Sequence, residues 1–435
     1  MRYLTNTSTD PQWNMAFDER VLTGLTSPEP VFYLWQNAPA VIIGRNQSAP
    51  AEVNLPYLEE HGIVLARRVT GGGAVYHDLG NLNYSFAGGI REMEALQPVR
   101  LMAAALRSMG IPVEVSGRND LMVEGRKCSG YAKRLAGTRM MIHGTLMWNV
   151  DLAALSAALS VPGSKFDMSF HGLSSARGST TSFHGPSSAG GSTTSFHGLS
   201  SAGGNTPSFH GLSSARCSTP SFHGLSVESS AVASVRCKVA NLSEYLPALT
   251  LSDFRARLHD FLAAYRFPST DAASPAGGSA PSFRGLSSAR GSAPSFHGLS
   301  VESLSPAFLA SVNALADSKF RTWEWVHGHS PATDFSAARR FPTCGTVRVH
   351  FSVRRGLLAD VAFSGDFLGA LSLDTPLPAS LCPAPFGGKT LPEALNGTRY
   401  EPASLTALLS QLPIASYFDG LTASDLASLL LGDTE

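Results

Sequence analysis

Two patches of near-identical repeats restrict where this chain can build a hydrophobic core. The phrase SFHGLSSARGSTT begins at Ser169 and recurs in related form every thirteen residues as far as Ser221, and a second patch repeats it at Phe283 and Phe296. Each unit is mostly Ser, Gly, Thr and Ala with one aromatic side chain, so it cannot bury enough apolar surface to offset the entropy of ordering its backbone. We therefore predict two disordered insertions, at about 165–228 and at 268–303.

The histidine in most repeat units allows a functional alternative, either a metal-binding array or a solenoid. The unit is short beside the roughly 20 to 50 residues of most solenoid repeats, and no acidic or cysteine ligands accompany the histidines. Both patches also end in the same phrase, SFHGLSVES, which indicates duplicated sequence. The pattern therefore favours flexible insertions over a binding array.

Charge and cysteine content exclude several classes of protein. Lys plus Arg and Asp plus Glu balance at 33 each, so no net positive field attracts nucleic acid or anionic lipid. The five cysteines are odd in number and form no CxxC pair, which favours a reducing compartment. The sequence has no signal-peptide pattern and no run of about 18 apolar residues. We expect a cytoplasmic protein with no nucleic-acid and no membrane partner.

Outside the insertions, mixed helix and strand signals predict an α+β or α/β fold. A helix should begin at Asp10 and Pro11, because aromatic and apolar residues then recur at a spacing of four. A second helix, 99–109, should be closed by Gly110. The predicted strands are 31–35 and 40–43 around a turn, then 64–67, 74–76, 83–86, 113–115 and 140–148. With the first insertion set aside, we assign residues 1–265 to one catalytic unit.

The sequence after the second insertion predicts a small α+β accessory domain at 304–435. Residues 346–353 alternate polar and apolar side chains, and Arg354-Arg355-Gly356 can turn the chain back into a second strand at 357–363. Helical patterns follow at about 391–395, 402–412 and 423–430.

The stretch ARRVTGGGAVYHDLGNLNYSF, residues 66–86, is the most informative for chemistry. A strand runs into Gly71-Gly72-Gly73, where missing side chains let backbone amides approach an anion. No Lys-Ser or Lys-Thr follows the glycines, so the loop is not a P-loop, and GxGxxG fails at Tyr76. Three glycines alone indicate a plain turn, but the arginines before them and His77 and Asn81 after them favour a binding site.

A second stretch, residues 117–152, places a lysine among small and apolar residues. Lys127 should lie on a short strand after the Glu124-Gly125 turn, where it could meet an anionic acyl phosphate. Arg134 adds positive charge, and Asp120 could hold a magnesium ion. From residue types alone, an exposed basic hairpin explains this segment equally well.

Six phrases in order resemble the motifs of the lipoate-protein ligase A family. They are LWQNAPAVIIGRNQ at 34–47, RRVTGGGAVYHDLGNLNYSF at 67–86, NDLMVEGRKCSGYAKR at 119–134, HGTLMWNVDL at 143–152, SVRCKVANLSEYL at 234–246 and KFRTWEWVHGHSP at 319–331. The resemblance covers essentially the whole chain outside the two insertions. Several independent motifs in one order are far more specific than any one of them.

The resemblance implies a biotin/lipoate protein ligase catalytic fold followed by the accessory domain. It implies that lipoate reacts with ATP and Mg²⁺ to give lipoyl-AMP, which then acylates a lysine of an acceptor. The expected acceptors are the lipoyl domains of 2-oxoacid dehydrogenase E2 subunits and the glycine cleavage H protein.

Motif position also assigns roles to individual residues. Lys127 is expected to be the catalytic residue, stabilising charge on the acyl carbonyl and the phosphate without forming a covalent intermediate. Trp35, Lys127 and His143 are expected in the lipoate pocket, with Trp35 a wall of an apolar tunnel. The positions that match the ATP and acyl-adenylate site are Arg68, Thr70, Gly71, Gly72, Gly73, Ala74, Val75, Tyr76, His77, Asn81, Asp120 and Arg134, with Asp120 also the candidate Mg²⁺ ligand.

The departures from the family pattern leave a rival function open. Val69 and Thr70 replace the more usual serines, and Cys128 follows the lysine where a branched aliphatic residue is common. Related octanoyl and lipoyl transferases use a cysteine nucleophile without ATP, although no histidine adjoins Cys128 in sequence, which favours a small buried side chain. A biotin ligase is disfavoured because its GRGRxGR-type loop is missing, and the intact lysine and glycines argue against a scaffold derived from a ligase.

Overall fold

The part of the chain that the structure describes contains three β-sheets and the helices that pack on them. A computed structural model gives residues 1–25, 29–116, 120–160, 226–229, 234, 237–265, 300–377 and 386–432, with backbone alone at 226–229 and 300–302. The strands are β1 Arg2–Leu4, β2 Val31–Trp35, β3 Ala40–Ile43, β4 Val64–Arg67, β5 Val75–His77, β6 Asn81–Gly89, β7 Val113–Ser116, β8 Asp120–Val123, β9 Arg126–Ala136, β10 Arg139–Met147, β11 Ser226–Ser229, β12 Ser300–Glu302, β13 Thr333–Phe341, β14 Gly345–Arg354 and β15 Leu357–Gly365. The helices are α1 Pro11–Gly24, α2 Ala49–Glu52, α3 Leu55–Glu60, α4 Ile90–Leu96, α5 Pro98–Ser108, α6 Leu152–Leu159, α7 Leu251–Ala264, α8 Pro306–Leu315, α9 Trp323–Val326, α10 Leu391–Leu395, α11 Pro402–Leu409, α12 Ile414–Tyr417 and α13 Ala423–Leu431.

The largest sheet has eight strands in the order β12-β1-β2-β6-β10-β9-β8-β7. Successive side chains of its central strand β6 point to opposite faces of the sheet. Leu82, Tyr84 and Phe86 pack on one face in a hydrophobic cluster with residues of α5 and α7. Asn83 and Ser85 therefore lie on the other face, where the polar side chains described below are gathered.

A three-stranded sheet, β4-β3-β5, covers that polar face. The predicted strands β2 and β3 are both present, but they belong to different sheets: β2 lies between β1 and β6, whereas β3 lies between β4 and β5. Every residue of both strands is buried. Such strands need cover on two faces and partners on two edges, which a single hairpin cannot supply.

Helix α1 begins where the sequence predicted. The Asp10 side chain accepts hydrogen bonds from the backbone N–H groups of Gln12 and Trp13 at 2.9 and 3.1 Å, and Pro11 occupies the first helical position. The helix packs against α8, α9 and the segment Ala316–Phe320 in a second hydrophobic cluster. Lys319 of that segment pairs with Glu19 at 2.6 Å.

The four-stranded sheet, β11-β13-β14-β15, carries the predicted hairpin. Strands β14 and β15 pair across the Arg355-Gly356 turn, where both residues have positive φ. Strand β13 was not predicted. Helices α10, α11 and α13 confirm the predicted helical segments and pack on this sheet in the third hydrophobic cluster.

Two short strands lie at the C-terminal ends of the predicted insertions. Residues 226–229 form β11, antiparallel to β13, and residues 300–302 form β12, parallel to β1. Both strands lie at sheet edges, where backbone N–H and C=O groups pair whatever the side chains are. The rest of both repeat patches lies outside the described residues.

The domain division at residue 304 stays a prediction. The segment that follows it, α8 to α9, packs on α1, whereas the hairpin and the last helices share the third cluster with α2 and α3. Among the described residues, no helix is long and apolar enough to cross a membrane.

Candidate active site

A cavity of about 290 Å³ lies between the eight-stranded and three-stranded sheets. Ten of the residues proposed from the sequence line it: Trp35, Arg68, Gly72, Gly73, Ala74, Val75, His77, Asp120, Lys127 and His143. Residues that the sequence did not single out also line it, among them Met15, Ile42, Asn83, Tyr131, Thr145 and Ser234. The two motif-rich stretches of the sequence therefore meet at one site.

Lys127 lies on β9 with its amine at the cavity. Glu124 and Gly125, in the predicted turn before it, both have positive φ. The Lys127 Nζ is 2.7 Å from Asp120 Oδ1 of the adjacent strand β8, and both side chains are about one quarter exposed. The Lys127 backbone donates to Lys238 O and accepts from Ala240 N, so the chain after the first insertion holds this strand in place.

Arg68 holds the glycine loop after β4 in place through hydrogen bonds to its backbone carbonyls. Its guanidinium donates to Gly71 O at 2.8 Å, to Gly73 O at 2.7 Å and to Ile42 O at 2.9 Å. Burial, together with the neighbouring Arg67, lowers the pKa of Arg68 to about 10, so the side chain stays charged at neutral pH. Gly72 has φ +96°, and a Cβ there would lie 2.9 Å from Arg68 Nη2. The positive φ of Gly72 is the feature that favours glycine at this position.

Ser234 covers the end of the glycine loop. Its hydroxyl accepts from Ala74 N at 2.8 Å and from Gln47 Nε2 at 3.0 Å, and it donates to Glu52. A Cβ at Gly73 would lie 2.9 Å from this hydroxyl. The motif that begins at Ser234 was identified in the sequence, but no role was predicted for the serine itself, because its partners are more than 150 positions away.

A buried carboxylate, also missed from the sequence, organises one side of the cavity. Asp18 of α1 accepts from Tyr33 and from Ser85 on one oxygen, and its other oxygen is 2.6 Å from His143 Nδ1. The far ring nitrogen of His143 is 2.8 Å from Thr70 Oγ1. Ser85 in turn accepts from Trp35 Nε1 at 3.0 Å. This Asp18 network joins the proposed wall of the acid pocket to the start of the glycine loop.

Several buried polar atoms at the site have no partner within the described residues. They include His77 Nε2 and Asn83 Nδ2, both on residues that line the cavity, and Asn81 Oδ1 beside them. Burial lowers the pKa of His77 to about 3, with smaller effects from Arg68 and His143, so its ring is neutral at physiological pH. Unpartnered buried groups are costly, and they indicate that a ligand completes the site.

Five proposed residues do not line this cavity. Thr70 is buried against His143, and Asn81 donates to Asn83. Tyr76 has its ring in the cluster that includes the C-terminal helices, on the opposite face of β5 from His77. Arg134 donates to Val69 O at 3.2 Å. Gly71 lines an adjoining groove of about 930 Å³, which shares Gly72, Tyr131 and Ala132 with the cavity.

Cys128 is excluded from the site by the pleat of β9. It follows Lys127, so its side chain points to the opposite face, where it is buried and donates to Leu121 O at 3.3 Å. Burial raises the pKa of its thiol to about 12. A thiol that is buried and protonated in this way is a poor nucleophile.

Arg67 links the site to the segment that leads into the C-terminal sheet. Its guanidinium is fully buried and donates to the carbonyls of Gly44, Arg45 and Gln47, and to those of Trp325 and Val326. It thereby fixes the loop after β3 against α9. Neither the loop nor this contact was predicted.

Comparison with known proteins shows which family the sequence resembles. Residues 10–182 match the family model of the lipoyl protein ligase A/B catalytic domain, and residues 330–430 match that of the bacterial lipoate protein ligase C-terminus. The chain is similar to lipoate-protein ligase LplJ of Bacillus subtilis, at 26% identity over 97% of each chain, and to lipoate–protein ligase 1 of Staphylococcus aureus, at 26% identity over 99% of this chain and 100% of that one. A bipartite lipoate protein ligase from Thermoplasma acidophilum has 20% identity and a TM-score of 0.47 over 75% of this chain and 96% of that one. On the two family models, which match in order, and on relatives aligned over nearly its whole length, the chain belongs to the lipoate-protein ligase family.

Proposed function

We propose that the cavity is the adenylation and transfer site of an ATP-dependent lipoate-protein ligase, with Lys127 as its catalytic residue. The carboxylate of lipoate attacks the α-phosphorus of ATP, the bond to pyrophosphate breaks, and lipoyl-AMP forms. The amine of an acceptor lysine then attacks the acyl carbon, the bond to AMP breaks, and an amide results. Both steps place negative charge on oxygen atoms, which a positioned cation stabilises.

The observation that carries the proposal is the position of the Lys127 amine. It lines the same cavity as the glycine loop, and it lies against Gly130, where a Cβ would come within 3.0 Å of Nζ. A lysine here reaches both an acyl carbonyl and a phosphate held by the loop amides. The apolar side chains of Met15, Trp35 and Ile42 supply a wall for the acyl chain.

The residues present fit a magnesium ion bound together with ATP. Mg²⁺ prefers oxygen ligands and is commonly held by one or two carboxylates plus substrate phosphates. Asp120 is the carboxylate that lines the cavity, and among the described residues no three His, Cys, Asp or Glu side chains form a ready-made metal cluster. Asp120 would hold the ion and orient Lys127 through their 2.7 Å ion pair, and the ion would neutralise phosphate charge.

The acceptor we propose is a lysine on a lipoyl domain, either of a 2-oxoacid dehydrogenase E2 subunit or of the glycine cleavage H protein. The groove that shares Gly72, Tyr131 and Ala132 with the cavity gives such a lysine a route from solvent to the acyl carbon. A transferase with a Cys128 nucleophile is disfavoured, since that thiol is buried on the opposite face of β9.

The test is mass spectrometry of a purified lipoyl domain incubated with the protein, lipoate and MgATP. A mass gain of one lipoyl group per acceptor that needs both ATP and the acceptor lysine supports the proposal. Equal modification from an acyl-carrier donor without ATP would contradict it.

A further inference from the structure

Two buried side-chain nitrogens at the cavity have no hydrogen-bond partner among the described residues. An amide nitrogen always carries protons, whereas a nitrogen of a neutral imidazole carries one in only one of the two tautomers. His77 and Asn83 are 3% and 1% exposed, and His77 Nε2 and Asn83 Nδ2 have no partner among the described residues. Whether His77 Nε2 donates or accepts depends on which ring nitrogen carries the proton. The partner of the other nitrogen, Nδ1, decides this.

A relay of buried asparagines determines the His77 tautomer. Asn14 Nδ2 donates to the carbonyl oxygens of Ser8 and Gln36, both at 3.0 Å, so the orientation of its amide is fixed by backbone acceptors. The same nitrogen is 2.8 Å from Asn37. Since it only donates and shares its two N–H groups among three acceptors, the Asn37 atom that faces it is Oδ1 and not the amide nitrogen. Asn37 then presents its Nδ2 to His77 Nδ1 at 3.0 Å. Since an amide nitrogen only donates, Nδ1 is the acceptor, and the proton of the neutral ring is on Nε2.

Asn83 supplies a second donor near the reacting atoms. Its Oδ1 accepts from Asn81 Nδ2 at 2.8 Å, which leaves its own Nδ2 unpartnered. Asn83 is opposite Thr145 in the β6–β10 register. Thr145 Oγ1 accepts a hydrogen bond from Gly130 N at 3.2 Å, and Gly130 lies against the Lys127 amine. Two strand spacings, roughly 10 Å, therefore separate the Asn83 backbone from that of Gly130. A carboxyl group can lie between the Asn83 amide and Lys127.

We propose that the Asn14–Asn37 relay holds the His77 proton on Nε2, and that this N–H and the Asn83 amide together bind a carboxylate oxygen of the acid substrate. This inference rests on the proposed function, because it assigns the orientation of the acid before adenylation. Uncharged donors suit that task. They hold one oxygen without neutralising the carboxylate, so the other oxygen keeps its nucleophilicity toward the α-phosphorus.

The first experiment observes the tautomer and the ligand directly. Nitrogen NMR of histidine-labelled protein, with the His77 signals identified by their loss in His77→Gln, should show a protonated Nε2 and an unprotonated Nδ1 in the free enzyme. Lipoate alone should shift the His77 Nε2–H and the Asn83 side-chain amide, whereas ATP alone should not. A protonated Nδ1, or signals that respond to ATP but not to lipoate, would overturn the inference.

The second experiment reverses the tautomer with a substitution of equal size. In Asn37→Asp the carboxylate can only accept, so His77 donates from Nδ1, and in the neutral ring, which high pH favours, Nε2 turns a lone pair toward the acid. The KM for lipoate should rise about 10- to 100-fold, the usual cost of replacing a buried donor by a repelling acceptor, with a smaller change in the KM for ATP. Asn54→Asp, which exchanges the same atoms at the N-cap of α3, is the matched control and should leave both constants unchanged.

Two further variants keep the result interpretable if Asn37→Asp is poorly folded. His77→Gln places an amide N–H near the Nε2 position and should weaken lipoate binding much less than His77→Leu. Equal losses in the two variants would contradict the donor role. If the wild-type enzyme binds lipoate and lipoylates its acceptor but His77 does not respond, only this inference fails. If the wild-type enzyme neither binds lipoate nor uses it, the proposed function fails instead.

Discussion

Burial of His77 should make the protein lose stability on acidification, by an amount that follows from the lowered pKa of its ring. The folded-state pKa is about 3, below the ordinary value of 6.5. Between these pH values the unfolded chain binds a proton at His77 that the folded chain excludes. The contribution of His77 to the free energy of unfolding is therefore fully present above about pH 6.5 and is lost as the pH decreases. At pH 5, 1.5 units below the unfolded value, the loss from this residue is about 2 kcal/mol.

Urea unfolding of the wild type and of His77→Gln at pH 7.5 and pH 5.0 measures this contribution. The variant has no titrating ring, so the wild type should lose about 2 kcal/mol more than the variant between the two pH values. Other titrating groups act on both proteins alike and cancel in the comparison. Equal losses would show that His77 is accessible to protons in the folded enzyme. The assignment of its single proton to Nε2 would then lose its basis.

Three further predictions concern the reaction, the insertions and the pocket. Lys127→Ala should lower the rate of adenylate formation at least 100-fold, about 3 kcal/mol of barrier, whereas Cys128→Ser and Cys237→Ser should keep most activity. Pyrophosphate release measures adenylate formation, and intact-protein mass detects any acyl-enzyme. An acyl thioester formed without ATP would refute the assignment of Lys127. A variant lacking residues 169–225 and 281–299 should still lipoylate its acceptor, because Ser- and Gly-rich sequence has few apolar side chains to bury. A soluble but inactive variant would contradict this. Trp35→Val should admit wider carboxylic acids, and unchanged selectivity across a series of acids would show that the indole does not limit the pocket.

Local signals explain why most elements were predictable. The Asp10-Pro11 start of α1, Gly110 after α5 and the Arg355-Gly356 turn each act within a few residues, so the sequence alone contained the cause. The partners of β2 and β3 were not predicted, because partner choice depends on strands far away in sequence. The strands at the ends of the two insertions were missed for the same reason, since their composition does not indicate pairing.

The site was predicted where chemistry is concentrated in a motif and missed where it depends on the fold. Lys127, His77 and the glycine loop lie within contiguous phrases. Asp18 lies on α1, and its partner His143 is 125 positions away. A signal was available, because Asn14 and Asp18 are four residues apart on a helix face otherwise made of buried apolar side chains. Polar residues at that spacing on a buried face indicate an internal network.

The Asp18 network also explains why substitutions at the pocket wall and at the glycine loop should not act independently. One oxygen of Asp18 accepts from Ser85, which in turn holds the Trp35 indole, and the other accepts from His143, which contacts Thr70 at the start of the loop. Each member is buried, so the loss of one leaves its partners unsatisfied and costs about 1–3 kcal/mol per orphaned group. Residues within one such network typically couple by 0.5–3 kcal/mol. The shape of the acid pocket and the conformation of the nucleotide loop therefore depend on the same carboxylate, although their motifs are separate in the sequence.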